Sequence, residues 1–220
     1  MNNIKTLFLN RFKSLSMLTL SMLLSLVLLM IRMKITESFF YAFLVWNLFL
    51  ATIPFATTTY IISRPNISKL MLFFSFCFWL LFLPNAPYII TDLIHLRLSP
   101  ANTIWLDILI VISFVFNGLI LCYLSLIDME KALKKHFNKK VAFYSILFAL
   151  FLSGFGIYLG RVLRFNSWDV IQHPNTLVSQ ISSILIHPIQ HQTAWMFTLG
   201  FGAFLSVGYM LFKALKRITN

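Results

Sequence analysis

Six apolar runs, at about 14–31, 39–62, 70–83, 103–127, 141–160 and 194–213, occupy most of the chain, and no other feature limits its fold so tightly. A helix rises 1.5 Å per residue and the hydrocarbon core of a bilayer is about 30 Å thick, so about 20 apolar residues make one crossing. The expected architecture is all-α: a polytopic membrane helical bundle of six transmembrane helices, one integral domain over 1–220. Composition agrees, since only 11% of residues are charged and the mean hydropathy is +0.84, outside the range of ordinary soluble domains.

Lys and Arg number 18 against 6 Asp and Glu, a net charge of +12. In a soluble domain that balance points to nucleic acid. In a membrane chain it reports orientation, because basic residues hold short loops on the cytoplasmic side, and nucleic-acid binding is excluded on that ground. The N-terminal segment (Lys5, Arg11, Lys13), the 64–69 loop, the 131–140 loop and the C-terminus carry thirteen of the basic residues. Arg32, Lys34, Arg97, Arg161 and Arg164 fall on the other side. Both termini are therefore expected in the cytoplasm, with the bilayer as partner and the loop DMEKALKKHFNKK against anionic lipid.

Trp79, Trp105 and Trp195 then lie near the outer ends of their helices, at headgroup level. The first run follows basic residues as a signal peptide does, but no small-x-small cleavage site follows it, so it is expected to stay as a helix. Cys77 and Cys122 sit inside apolar runs, and no disulfide is expected.

The third run is short, about 14 residues or roughly 21 Å, and ends at LPNAPYIITDLIHL over 83–96. Pro84 and Pro87 lack a backbone N–H and push the residues before them out of the helical region, so the helix should stop or kink there. In a new helix over about 88–98, Tyr88, Thr91, Asp92 and His95 share one face, which suits an interfacial helix on the outer side. Asp92 one turn from His95 forms either an acid–base pair or two metal ligands, or else both simply face headgroup water.

A second polar segment, GRVLRFNSWDVIQHPN, follows the fifth run. Arg161 and Arg164 share a helical face; they can snorkel to the interface or hold a phosphate or one of the carboxylates Asp92, Asp107 and Asp169. Asn166 before Asp169 reads as a helix N-cap, with Pro174 ending the helix. Asp169 with His173, and His187 with His191, have metal-ligand spacing, though Pro188 interrupts the second pair. Leu177, Val178, Ile181, Ile184 and Leu185 mark a second interfacial helix at about 176–187. Gly156 and Gly160 allow a close helix approach, Asn117 needs a partner across a helix interface, and Asp107 is the carboxylate expected to be buried.

FLPNAPYIITDLIHL at 82–96 and GIYLGRVLRFNSWD at 156–169 resemble the two signature blocks of a bacterial multi-pass membrane family, domain of unknown function 1361. The resemblance implies a bacterial cytoplasmic-membrane protein and brings no activity, cofactor or catalytic residue with it. The two blocks are expected to meet in a polar outer-face site of Asn85, Tyr88, Asp92, His95, Arg161, Arg164, Asn166 and Asp169. There the arginines would bind an anionic group such as a lipid phosphate, and Asp92 with His95 would carry acid–base or metal-assisted hydrolysis or transfer. The alternatives are a transporter or channel using Asp107 and Asn117, and a non-catalytic subunit that binds a partner protein. The cofactor and the metal stay open.

Overall fold

In the computed structural model, which describes residue 9, residues 11–64 and residues 66–218, the apolar runs are helices. Lys5, part of the N-terminal basic count, lies outside the described residues. The order is α1 Phe12–Thr36, α2 Phe43–Ser63, α3 Lys69–Phe82, α4 Asn85–Tyr88, a 3-10 helix Ile89–Leu98, α5 Ile104–Leu133, α6 Lys139–Arg161, α7 Asp169–Gln172, α8 Pro174–Ile186 and α9 Gln192–Ile218. Among the described residues there is no strand, and six spans are long and apolar enough to cross a bilayer. The all-α polytopic bundle expected from the sequence is the fold observed. Ser68 and Asn138 cap α3 and α6 by accepting from the N–H groups of Met71 (3.2 Å) and Val141 (2.8 Å).

Helix α5 is the axis. Ile110, Phe114, Gly118, Leu121 and Leu126 along it are buried, and α1, α2, α3, α4 and α6 all pack on it. Asn117, buried near its middle, donates to Ser25 Oγ (2.9 Å) and to the Ser113 carbonyl (2.9 Å), tying α1 to α5 as a polar group in an apolar bundle must be tied. Helix α5 also runs past its expected end near 127, because the charges it acquires there are paired: Asp128 binds Arg11 (2.5 Å), and Glu130 binds Lys213 (2.5 Å), Lys134 and Tyr209.

The proline-broken segment does not leave the bundle for the interface. Ala86, Pro87, Ile89 and Asp92 are buried. Glycines make the room: a Cβ on Gly118 would stand 2.6 Å from the Ala86 carbonyl oxygen, and one on Gly156 would stand 2.5 Å from Pro84 Cγ. The close approach expected of Gly156 and Gly160 is thus made to α4, since a Cβ on Gly160 would stand 3.2 Å from the Tyr88 ring. The turn stays helical, since Ala86 N–H bonds the Leu83 carbonyl (3.2 Å) and Tyr88 N–H the Pro84 carbonyl (3.0 Å). That shift strands the Phe82 carbonyl, which accepts instead from Asn85 Nδ2 (2.9 Å). The third span consequently extends over Lys69–Leu98. Trp79, expected at headgroup level, lies within this longer span, wholly buried, and donates to Ser125 Oγ (3.4 Å).

Ion pairs mark the two ends of the bundle. Arg11 at the start of α1 and Lys213 near the end of α9 both meet the end of α5, so the first and last helices share this basic end. At the opposite end Arg32 of α1 meets Asp107 of α5 (3.0 Å), and Arg161 of α6 meets Asp92 (3.2 Å). Arg32 also donates to the Ser38 carbonyl (3.2 Å) and lies over the Tyr41 ring (4.9 Å). Replacing one member of such a pair leaves a lone buried charge, which costs about 3–5 kcal/mol, whereas replacing both with apolar groups is near neutral. Arg32→Met is therefore expected to lower the unfolding temperature in detergent sharply, and Arg32→Met with Asp107→Leu to recover most of the loss. A single variant as stable as the native chain would count against this account.

Candidate functional site

Around Asp92 the opposite end of the bundle gathers side chains from four elements, α2, α4, the 3-10 helix and α6. The 3-10 helix turns Asp92 inward to 1% exposure. Its Oδ1 accepts from Arg161 (3.2 Å), and its Oδ2 from Asn47 of α2 (2.8 Å). The Arg161 guanidinium further donates to the Thr91 carbonyl (2.9 Å), to His95 Nε2 (3.1 Å) and to the Tyr88 hydroxyl (3.4 Å). Because a guanidinium can only donate, His95 Nε2 must be the acceptor, which places the imidazole proton on Nδ1 and leaves the ring neutral. The edges of Phe40 and Phe43 border that ring at 5.9 and 5.1 Å between centroids. The carboxylate and the guanidinium are thus occupied by one another and by fixed protein groups.

Beside this cluster lies a cavity of about 570 Å³ between α2, α3, α4, α6 and α8. Most of its wall is apolar, including Leu81, Leu152, Phe155 and Ile181. Its polar wall comprises Asn47, Asn85, Tyr88, Asn166 and Ser167, and among the described residues no charged side chain lines it. Asn85 Nδ2 donates to Ser167 Oγ (3.0 Å), which in turn donates to the Leu81 carbonyl (3.3 Å), so the loop after α6 is fastened to the break in the third span. Helix α8 closes one flank with Leu177 and Ile181. Asn47 and Tyr88 belong to both the cavity wall and the ion-pair cluster.

The residues singled out in the sequence divide into three groups. Tyr88, Asp92, His95 and Arg161 meet directly, and Asn85 and Asn166 line the adjoining cavity. Arg164 does not share a face with Arg161. Helix α6 ends at Arg161, and Arg164 takes a left-handed conformation (φ 62°) that leaves it exposed, in a turn closed by Phe165 N–H to the Leu159 carbonyl (3.0 Å). Asp169 sits apart, with His173 Nδ1 at 3.2 Å. Nor is Asn166 a side-chain cap. The Asp169 carboxylate instead reaches back to the Asn166 N–H (2.6 Å), α7 is only Asp169–Gln172, and Pro174 opens α8. His187 and His191 stand outside the cluster, where His191 Nε2 meets Ser183 Oγ (3.1 Å). No group of three or more His, Cys, Asp and Glu side chains converges as a metal site among the described residues.

Asn47, Trp46 and Ser167 were missed. Asn47 is a lone amide in an apolar run, and nothing in its neighbourhood distinguishes it from the structural Asn117. Its role depends on a contact 45 positions away in sequence.

A family model described as protein of unknown function (DUF1361) matches residues 46–207, which include every residue of the cluster and the cavity. No curated protein matches, and no solved structure does.

The backbone N–H of Asn166, with His173 adding to it, holds the Asp169 carboxyl below the usual carboxylate range. A depressed folded-state pKa gives stability that is present above the unfolded value and lost as pH falls through the folded one. The 166–173 turn is therefore expected to loosen on acidification below the ordinary carboxylate range. Hydrogen exchange at the Asn166 amide, corrected for its intrinsic rate, should show protection falling with pH in the native chain and little pH response in Asp169→Asn.

Proposed function

The chain belongs to the DUF1361 family, and because that membership carries no activity, we propose from the site itself that it binds a membrane lipid in the cavity beside the Asp92–Arg161 pair. The supporting observation is the cavity's division: apolar along membrane-spanning α2, α3 and α6, polar only where Asn47, Asn85, Tyr88, Asn166 and Ser167 gather. Sites that orient a largely apolar ligand have this build. An acyl or isoprenoid chain would lie against Leu81, Leu152 and Phe155, and the headgroup would meet the amides.

The anion-binding and acid–base reading of the same residues needs a free guanidinium edge and a free carboxylate. Arg161 faces four acceptors, and Asp92 has both oxygens engaged. We therefore assign Asp92, His95 and Arg161 to positioning rather than chemistry. We also propose that the basic end of the bundle is cytoplasmic and the cavity end is outer, on the distribution of Lys and Arg, in the cytoplasmic membrane of a bacterium. Lys131, Lys135, Lys139 and Lys140 would then meet anionic headgroups of the inner leaflet.

Orientation is read by an alkaline phosphatase fusion, active only outside the cytoplasm. The fusion after Trp168 should be active and the one after Lys135 silent, and the reverse pattern overturns the assignment. Lipid binding is read by native mass spectrometry of the chain purified from membranes. A lipid of about unit stoichiometry is expected on the native chain, with its occupancy falling about tenfold in Leu152→Trp, which fills the apolar wall, a loss of about 1.4 kcal/mol of binding. A folded Leu152→Trp protein that keeps its lipid would refute the proposal.

A further inference from the structure

The polar end of the cavity has a definite hydrogen-bonding polarity, which follows from the chemistry of its neighbours. Asn47 Nδ2 faces Asp92 Oδ2 (2.8 Å), and an ionised carboxylate only accepts, so the amide orientation of Asn47 is forced and its carbonyl oxygen is left over. Asn85 Nδ2 faces the Phe82 carbonyl (2.9 Å), another pure acceptor, so its orientation is forced in the same way. Both residues line the cavity. Neither carboxamide oxygen takes part in a hydrogen bond among the described residues. The Tyr88 hydroxyl accepts from Arg161 (3.4 Å), which leaves its own hydrogen to donate. The Ser167 hydroxyl, by contrast, is already used in both roles.

Apart from the Asn166 carboxamide, which is engaged by the Asp169 carboxylate, a ligand headgroup at this end meets two unengaged carbonyl acceptors, one phenolic donor and no charged wall. A phosphate presents only acceptors of its own and would face those two carbonyl oxygens without a cation. A group rich in hydroxyls satisfies all three positions, because each hydroxyl both donates and accepts. An indole borders the same end: Trp46 lines the cavity and is 53% exposed, held edge-on to Trp168 at 6.4 Å between centroids. The flat apolar face of an indole suits the C–H face of a sugar ring and offers nothing to a phosphate, whereas an ammonium, which can sit on an indole, has no acceptor for the Tyr88 hydroxyl. We infer that the lipid accepted by this cavity carries an uncharged, hydroxyl-bearing headgroup of the glycosyl class, read by Asn47, Asn85 and Tyr88 and packed on Trp46. The inference rests on the lipid-binding reading and goes beyond it by naming the headgroup.

The test supplies the purified full chain with equal amounts of three lipids of identical acyl chains: a monoglucosyl diacylglycerol, a phosphatidylethanolamine and a phosphatidic acid. Retention of each is counted by native mass spectrometry. The glucosyl lipid should be retained at least tenfold over both others. Tyr88→Phe, which keeps the ring and removes only the hydroxyl, should cut that preference severalfold. Trp46→Leu, at a half-exposed position, should do likewise and serves where the first variant fails to fold. Equal retention of all three lipids overturns the headgroup inference and leaves the cavity reading standing. A preference for phosphatidic acid overturns it in favour of anion binding, and one for phosphatidylethanolamine in favour of an ammonium. Retention of none, with Leu152→Trp indistinguishable from the native chain, removes both readings.

Discussion

A charge carried into a hydrocarbon-bound bundle must be met by an opposite charge or by several hydrogen bonds, and that requirement organises this protein. Five of its six acids are buried: Asp92, Asp107, Asp128, Glu130 and Asp169. Four of the five close a contact between separate spans. Arg11–Asp128 and Arg32–Asp107 fix both ends of α1 on α5, Lys213–Glu130 fixes α9 on α5, and Arg161–Asp92 fixes α6 on the third span. The desolvation of two buried ions roughly cancels their attraction, so these pairs add little net stability. What they add is register, because sliding any one span by a turn, 5.4 Å, would leave a carboxylate alone in the bundle.

Within that register, the proline break is tolerated because the neighbouring helices lack side chains where it passes. Gly118 of α5 admits the Ala86 carbonyl from one side, and Gly156 of α6 admits the Pro84 ring from the other. A helix interrupted inside hydrocarbon exposes polar backbone, and here the Asn85 side chain covers the Phe82 carbonyl and the Ser167 hydroxyl the Leu81 carbonyl. Asn85 also reaches Ser167, so the group that repairs the break anchors the loop above it. The cavity forms between these features, with Pro84, Asn85 and Tyr88 in its wall.

The spans were legible in the sequence because the bilayer thickness imposes a length that apolar runs must match, and the pairing of polar blocks at one end was legible from lysine and arginine placement. Burial of Asp107 and the glue role of Asn117 followed from the same scarcity of polar partners. The fate of the 83–96 segment was not legible, since two prolines announce a break without saying whether neighbours will enclose it. That depended on Gly118, 32 positions from Ala86 and unremarkable in its own run. Arg161 and Arg164 separated for a local reason that spacing hides: the left-handed backbone at Arg164 rotates it away from the face that its sequence interval suggests.

The buried ion pair and the cavity are linked through a single amide. An ionised Asp92 accepts on both oxygens, so Asn47 can approach it only by its nitrogen, and the Asn47 oxygen is left over. Arg161, fixed by the same carboxylate, occupies the acceptor side of the Tyr88 hydroxyl and so commits that group to donating. Asp92 is itself no part of the cavity wall, yet the hydrogen-bonding polarity of that wall follows from its charge. A neutral Asp92 would release Asn47 to take either orientation and erase the distinction between donors and acceptors. The sparse charge of the chain thus acts at one remove: it is placed outside the cavity wall, and it sets the orientation of uncharged groups within that wall.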